Sequence, residues 1–100
     1  MKIPSEFKIG AHTYTVVFRK RINRSGTCWG RAYVHDRVIH LATESNKGKL
    51  TESEIVVTFW HEVMHCILYD MGHALWKDEA FVNAMAENLT HIIATAKFKD

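Results

Sequence analysis

His61-Glu62-Val63-Met64-His65 is the stretch of this chain whose residue types and spacing point most directly to chemistry. In a helix, two histidines four residues apart lie on the same face, so their imidazoles can bind one metal ion. The glutamate after the first histidine then points toward the open side of the metal, where water binds. Zinc lowers the pKa of such a water toward about 7, and the carboxylate can take its proton. This H-E-x-x-H pattern therefore predicts a zinc site with His61 and His65 as ligands and Glu62 as general base.

The residues around the motif predict a buried helix. Ile55-Val56-Val57-Thr58-Phe59-Trp60 precedes the motif and Cys66-Ile67-Leu68 follows it, so the helix is apolar almost all round. Buried histidine and glutamate side chains need partners, and a metal ion supplies one. Thr51-Glu52-Ser53-Glu54 has the pattern of a capping box at the start of this helix, and Gly72 is the expected stop.

A third ligand must come from elsewhere in the chain, because catalytic zinc usually has three protein ligands. The histidines and glutamates that follow the motif are His73, Glu79, Glu87 and His91. Zinc peptidases of the metzincin type have their third histidine six residues after the second, where this chain has Met71. We therefore expect His73 to be a loop residue.

A second amphipathic helix, expected from about Asp78 to Lys97, separates the remaining candidates. Its apolar residues fill one arc of the helical wheel: Phe81, Val82, Met85, Ala86, Leu89, Ile92, Ile93 and Ala96. Glu87 and His91 point away from this arc, whereas Glu79 lies at its border, where a side chain can face along the seam between the helices. The connection is long enough to bring Glu79 beside His65. We predict Glu79 as the third ligand; the alternative is an acidic first-turn residue favoured by the helix dipole.

Other residues are candidates for supporting roles. Asn83 follows Glu79 by one turn and could hydrogen-bond the carboxylate or a ligand histidine. Hydrolysis also needs a donor that stabilises the oxyanion, and Tyr69 and His73 are the candidates; the alternatives are a packing residue at the helix end and a loop residue. The strand Val38–Leu41 could form the sheet edge that pairs with an extended peptide.

The first half of the chain predicts strands and the second half helices. Phe7–Ile9 and His12–Phe18 indicate a hairpin, Trp29–Val34 and Arg37–Leu41 indicate two more strands around His35-Asp36, and Thr43–Lys49 is expected to be a loop. We therefore expect a single domain over residues 1–100 with an α+β fold, in which a small antiparallel β-sheet of about four strands packs on two helices.

Composition and charge exclude several classes of protein. A net charge of +2 is too small to indicate a nucleic-acid partner, and the basic run Arg19-Lys20-Arg21 with Arg24 has the ordinary interpretation of a solvated strand end and loop.

No stretch is long and apolar enough for a membrane span, and the N-terminus lacks the apolar core of a signal peptide. Cys28 and Cys66 are too few for a disulfide framework, and Cys66 is expected to be a core thiol. We expect a cytoplasmic protein in a reducing compartment, with no membrane or nucleic-acid partner.

The motif and the residues after it resemble a known group of enzymes. The pattern from His61 to His65, followed by Glu79 and then Asn83 four residues later, resembles the gluzincin pattern of zinc peptidases. In that pattern a glutamate is the third ligand and an acidic residue follows it by four, where this chain has Asn83. The resemblance implies a minimal zincin-like fold with a Zn²⁺ cofactor.

The chain as a whole is similar to short metallopeptidase-like proteins of bacteriophages and prophages. The shared features are the opening Lys2-Ile3-Pro4, the hairpin Lys8-Ile9-Gly10-Ala11-His12-Thr13-Tyr14, the strand Val38-Ile39-His40-Leu41, the H-E-x-x-H motif and a helix that begins Asp78-Glu79. This similarity implies a fold akin to minigluzincins and the ImmA/IrrE group, and a location in the cytoplasm of a bacterial host cell.

The sequence therefore predicts a zinc-dependent metallopeptidase that acts on a peptide or protein substrate, with zinc on His61, His65 and Glu79. The alternative is a catalytically silent zinc-binding protein that acts as a phage regulator or interaction partner. A third hypothesis is a nucleic-acid-associated protein that uses the basic segment. Glu62 distinguishes the first two, because a purely structural zinc site does not require it.

Overall fold

A computed structural model describes residues 3–99 of the chain; Met1, Lys2 and Asp100 lie outside the described residues, and with them the Lys2 of the opening motif. The strands are β1 (Glu6–Ile9), β2 (His12–Arg19), β3 (Gly30–Tyr33), β4 (Val38–Ala42), β5 (Glu44–Ser45) and β6 (Gly48–Lys49). The helices are α1 (Glu52–Asp70) and α2 (Glu79–Thr95). The predicted α+β fold, a small sheet of four strands with two helices, is confirmed.

The main sheet has the strand order β1-β2-β4-β3. The predicted hairpin is present, because β1 pairs with β2 in antiparallel fashion, and the two further predicted strands, β3 and β4, also form an antiparallel pair. The prediction that the sheet is antiparallel is wrong for one pair: β4 lies between β2 and β3 and runs parallel to β2. Ile39 and Leu41 of β4 have no exposed surface, so the strand richest in buried apolar residues occupies the centre.

The central position of β4 changes which strand lies at the sheet edge. The prediction that Val38–Leu41 forms the edge is wrong, because β4 has a neighbour on each side; the outermost strands of the main sheet are β3 and, at the opposite edge, β1. Residues 43–49, predicted as a loop, contain the short antiparallel pair β5 and β6.

Helix α1 begins at the predicted capping box. The Thr51 hydroxyl accepts a hydrogen bond from the Glu54 amide at 3.1 Å, and the Glu54 carboxylate accepts one from the Thr51 amide at 2.8 Å. The helix ends before Gly72, whose φ of 69° is left-handed and suits a residue without a side chain. Cys66 is fully buried and belongs to the core between α1 and the sheet, as predicted.

Helix α2 begins at Asp78, whose carboxylate accepts a hydrogen bond from the Phe81 amide. It packs on α1, where Val82 is buried against Met64 and Leu68. The predicted apolar arc is covered only in part, since Ile92 remains 63% exposed. Within residues 3–99, neither helix has the length and apolar character needed to cross a membrane.

Gly30 allows β3 to lie directly against α1. A Cβ atom at this position would come within 2.5 Å of the Thr58 Cγ2 atom and 3.1 Å of the Glu62 Cγ atom. Any side chain at residue 30 would therefore push the edge strand away from the helix turn that carries Glu62. A lone glycine within a strand is a recognised sign of such close approach.

Replacing Gly30 with alanine is expected to lower the free energy of unfolding by about 1–3 kcal/mol, because the added methyl group overpacks the contact between β3 and α1. Urea denaturation followed by circular dichroism measures the loss. Adding Thr58→Ser removes Cγ2 but keeps the hydroxyl that donates to the Glu54 carbonyl, so the double variant should recover part of the stability. Undiminished stability in Gly30→Ala would contradict the close packing described above.

Candidate metal centre

His61 and His65 lie one turn apart on α1, and Glu79 is the first residue of α2. The Nε2 atoms of the two histidines are 3.2 Å apart. The Glu79 carboxylate bridges them, with Oε2 at 3.0 Å from His61 Nε2 and Oε1 at 3.0 Å from His65 Nε2. The structure thus brings together the three residues predicted as ligands, in a group that could hold a metal ion.

The separations within this group suit a small tetrahedral site. Zinc binds imidazole nitrogen and carboxylate oxygen at about 2.0–2.2 Å, which places neighbouring ligand atoms of a tetrahedron about 3.3 Å apart. The potential ligand atoms of the three residues all lie within 4.8 Å of one another, and the shortest separations are 3.0–3.2 Å. Only a small shift of each side chain would be needed to centre them on one ion.

A hydrogen bond to the backbone sets the orientation of His65. Its Nδ1 atom lies 2.6 Å from the carbonyl oxygen of Trp76, and because a carbonyl only accepts, Nδ1 carries the proton. In the neutral imidazole, Nε2 then has a lone pair, which faces the Glu79 carboxylate, itself only an acceptor. Two acceptors at this distance repel unless a proton or a cation lies between them. The donor set therefore fits a metal ion, and the Trp76 carbonyl holds one ligand ready for it.

Glu62 is set apart from the three residues of the metal group. Its residue surface is only 7% exposed, and the backbone N–H of Ala32 on β3 donates a hydrogen bond to its carboxylate. Burial raises the pKa of the Glu62 carboxyl to about 7; His65 opposes this rise and the Glu79 carboxylate adds to it. A carboxylate with a pKa near neutrality can both accept and release a proton at physiological pH.

A cleft of about 890 Å³ contains Glu62 together with the metal group. One wall is the edge strand β3, and the other walls are α1 from Ser53 to His65, the end of the connection at Trp76 and Lys77, and the start of α2. Apolar side chains form much of its surface, including Trp29, Val34, Val57 and Trp76. The arrangement provides a metal group, a buried carboxylate and an exposed strand edge in one concave surface, which is typical of a binding or catalytic site.

Neither candidate for the oxyanion donor lines this cleft. The Tyr69 hydroxyl is hydrogen-bonded to His35 Nδ1 at 2.9 Å, and its ring packs on Trp76. The His73 ring stacks on Phe81, and its Nδ1 accepts a hydrogen bond from the Leu75 amide, so it is a residue of the connection, as the loop alternative predicts.

The other residues weighed for the site face elsewhere or have other partners. The Asn83 amide lines the cleft but donates to the Glu87 carboxylate at 3.3 Å, instead of supporting Glu79 or a histidine. Glu87 and His91 are exposed and do not line the cleft, in agreement with the outward positions that the helical wheel predicts.

Two features of the site were not predicted. The Trp76 carbonyl is a backbone group, and no residue type in the sequence marks it. The contact of β3 with Glu62 is indicated in the sequence only by Gly30, an isolated glycine within a predicted strand. Such a glycine indicates that another element approaches closely, but it does not identify the helix.

Comparison of the chain with protein-family models, with curated proteins and with solved structures gave no match. The similarity to phage-type metallopeptidases therefore stays an expectation from the motif. The geometry of the metal group and of Glu62 is the basis on which a function can be inferred.

Replacing Glu79 with alanine is expected to weaken zinc binding by at least about tenfold, because the change removes one of three ligands and even a supporting group contributes that much. Competition with a chromophoric chelator measures the affinity. Glu87→Ala is the matched control, since Glu87 lies on the same helix and is exposed outside the cleft. Equal zinc affinity of Glu79→Ala and the wild type would show that Glu79 is not a ligand.

Proposed function

We propose that this chain is a zinc-dependent metallopeptidase that hydrolyses peptide bonds of a peptide or protein substrate. The observation that carries the proposal is the buried carboxylate of Glu62, which shares a cleft with the His61, His65 and Glu79 group. A metal site that serves only structure would be closed by a fourth ligand and would not need an acid-base group beside it.

The donor set supports zinc as the metal. Two imidazole nitrogens and one carboxylate oxygen are the ligands of many catalytic zinc sites, which keep a further position open. The Glu79 side chain is 73% exposed, so the metal group is open to solvent on the side of Glu79. The chemistry that bound zinc would supply is that of a Lewis acid, which polarises the substrate carbonyl and makes water more acidic.

Glu62 would act as general base and then as general acid. The Ala32 N–H fixes the carboxylate against β3, and the apolar surroundings hold its pKa near 7. In this role a Glu62 oxygen takes the proton from the attacking water and later gives it to the nitrogen of the departing amine. The buried position keeps the carboxylate in one place, which such a transfer requires.

The edge strand β3 would hold the substrate. Its neighbour within the main sheet is β4 alone, and its residues Gly30, Arg31 and Ala32 line the cleft. An extended peptide can add to such an edge through main-chain hydrogen bonds, with side-chain pockets giving selectivity. The peptide bond to be cleaved would then lie over the metal group, in the cleft beside β3 and α1.

Glu62→Gln is expected to lower the rate of peptide hydrolysis by at least about 100-fold, because the amide cannot accept the proton. The assay uses a quenched fluorescent peptide mixture with zinc-reconstituted protein, and zinc content is measured for each variant. Glu87→Gln is the control, which removes a charge outside the cleft and should leave the rate unchanged. Full activity in Glu62→Gln would rule out the proposed base. Tight zinc binding with no hydrolysis by the wild type would overturn the peptidase proposal and favour the silent zinc-binding alternative.

A further inference from the structure

The charges of this chain are strongly segregated along the sequence. Residues 1–50 contain ten lysines and arginines against three acidic residues, whereas residues 51–100 contain three against eight. The net charge of +2, on which the expectation of no nucleic-acid partner rests, hides this separation. The strands thus form a basic half and the helices an acidic half, a distribution that favours an anionic partner for the sheet.

Helix α1 packs on only one face of the sheet. That inner face carries the buried residues Tyr14, Val16, Ile39 and Leu41. Side chains that alternate with them along the strands point the opposite way, and the pairing register places them side by side across three strands. We use the name outer sheet face for the surface formed by Lys8, Thr15, Arg19, Arg31, Tyr33 and His40.

The centre of the outer sheet face has two aromatic rings between two arginines. Tyr33 and His40 lie on neighbouring strands, with ring centroids 4.9 Å apart and planes at 64°. Arg31 is paired with His40 in the register, and Arg31 also shares a side-chain hydrogen bond with Tyr33. Arg19 approaches His40 from the other side, on β2. Both arginines are exposed, whereas the rings are half-buried and so held in place.

The basic surface continues beyond the strands. Arg21 and Arg24 are exposed in the segment that follows β2, and the Arg21 guanidinium donates to the Arg24 carbonyl at 3.5 Å. Among the side chains that the described strands of the main sheet direct to this face, Glu6 is the acidic one, and it lies on β1, at the opposite edge from Arg31. An extended anion could therefore cross the strands from Arg31 to Arg19 without meeting a carboxylate; beyond them, the Glu44 carboxylate is paired with Lys20 at 3.5 Å.

We propose that the outer sheet face binds single-stranded nucleic acid, with Arg19 and Arg31 contacting phosphates and the Tyr33–His40 pair contacting bases. Arg31 also lines the cleft, whereas Arg19, Tyr33 and His40 lie outside it, and the proposal does not depend on the peptidase function. Arginine suits phosphate because its planar guanidinium can donate two hydrogen bonds at once. Aromatic side chains flanked by cations are the usual platform for unpaired bases, which can stack on them irrespective of sequence.

Other anionic partners fit this face less well. A lipid surface favours apolar side chains that project from the protein, but Val17 and Val38, the valines on this side of the sheet, are half-buried. Duplex DNA offers phosphates but keeps its bases stacked, so the two rings would have no role. An acidic protein would likewise use the arginines alone.

The test is fluorescence anisotropy with the full chain and three labelled probes: a 16-nucleotide DNA strand, an RNA strand of the same length and the matching DNA duplex. At 50 mM salt we expect a Kd of about 1–100 μM for the single strands. Arg19→Ala/Arg31→Ala should weaken binding by at least about tenfold and reduce the salt slope by about 1.4, since each phosphate contact contributes about 0.7. Lys97→Ala/Lys99→Ala removes the same charge from the helical half and should leave the Kd within about twofold of the wild type.

Tyr33→Leu separates single-strand recognition from plain charge attraction, because it keeps apolar bulk while removing the ring. It should weaken single-strand binding by at least about fivefold, the low end of the contribution of one stacked base. Circular dichroism confirms that each variant is folded. The proposal is overturned if the single strands do not bind at 50 mM salt, or if the two double variants weaken binding equally. It is also overturned if duplex binds as tightly as single strands and Tyr33→Leu has no effect.

Discussion

The structure depends on the need to satisfy three polar side chains in the middle of α1, where the residues around them are mostly apolar. His61, Glu62 and His65 lie on α1 between the sheet and α2, where a polar group without a partner is costly. Each finds its partner in a different element: Glu79 of α2 for His61, the Ala32 N–H of β3 for Glu62, and the Trp76 carbonyl of the connection for His65. Together with the apolar packing of Val82 on Met64 and Leu68, these three contacts hold the edge strand, the connection and the second helix around α1, and the cleft lies between them.

Local patterns in the sequence were sufficient to predict the elements and most of the metal group. The capping box, the first hairpin, the two further strands and the helical wheel of α2 each depend on residues close in sequence, and the structure contains all of them. The sequence favours Glu79 over Glu87 as the ligand, because the angle of each side chain around a helix follows from sequence spacing alone. The same spacing predicts that Glu87 and His91 point outward, and both residues are exposed.

What the sequence could not supply was the way distant elements pair. Nothing local in β2 or β4 indicates that they run side by side in parallel, and this pairing is why β3 lies at the edge of the sheet. Tyr69 and His73 are close to the motif in sequence, but neither lines the cleft. Tyr69 lies on α1 and its hydroxyl is bonded to His35, whereas His73 follows the turn at Gly72 and stacks on Phe81. The net charge likewise gives no sign of the basic outer sheet face, because the acidic residues of the helical half offset the basic residues of the strands.

The central claim is that His61, His65 and Glu79 hold one metal ion between α1 and α2. X-ray data from zinc-reconstituted crystals, collected above and below the zinc absorption edge, test it most directly. The account predicts one anomalous peak about 2.0–2.2 Å from both histidine Nε2 atoms and from a Glu79 carboxylate oxygen. A peak at other residues, or one bound by the histidines with Glu79 turned away, would contradict it.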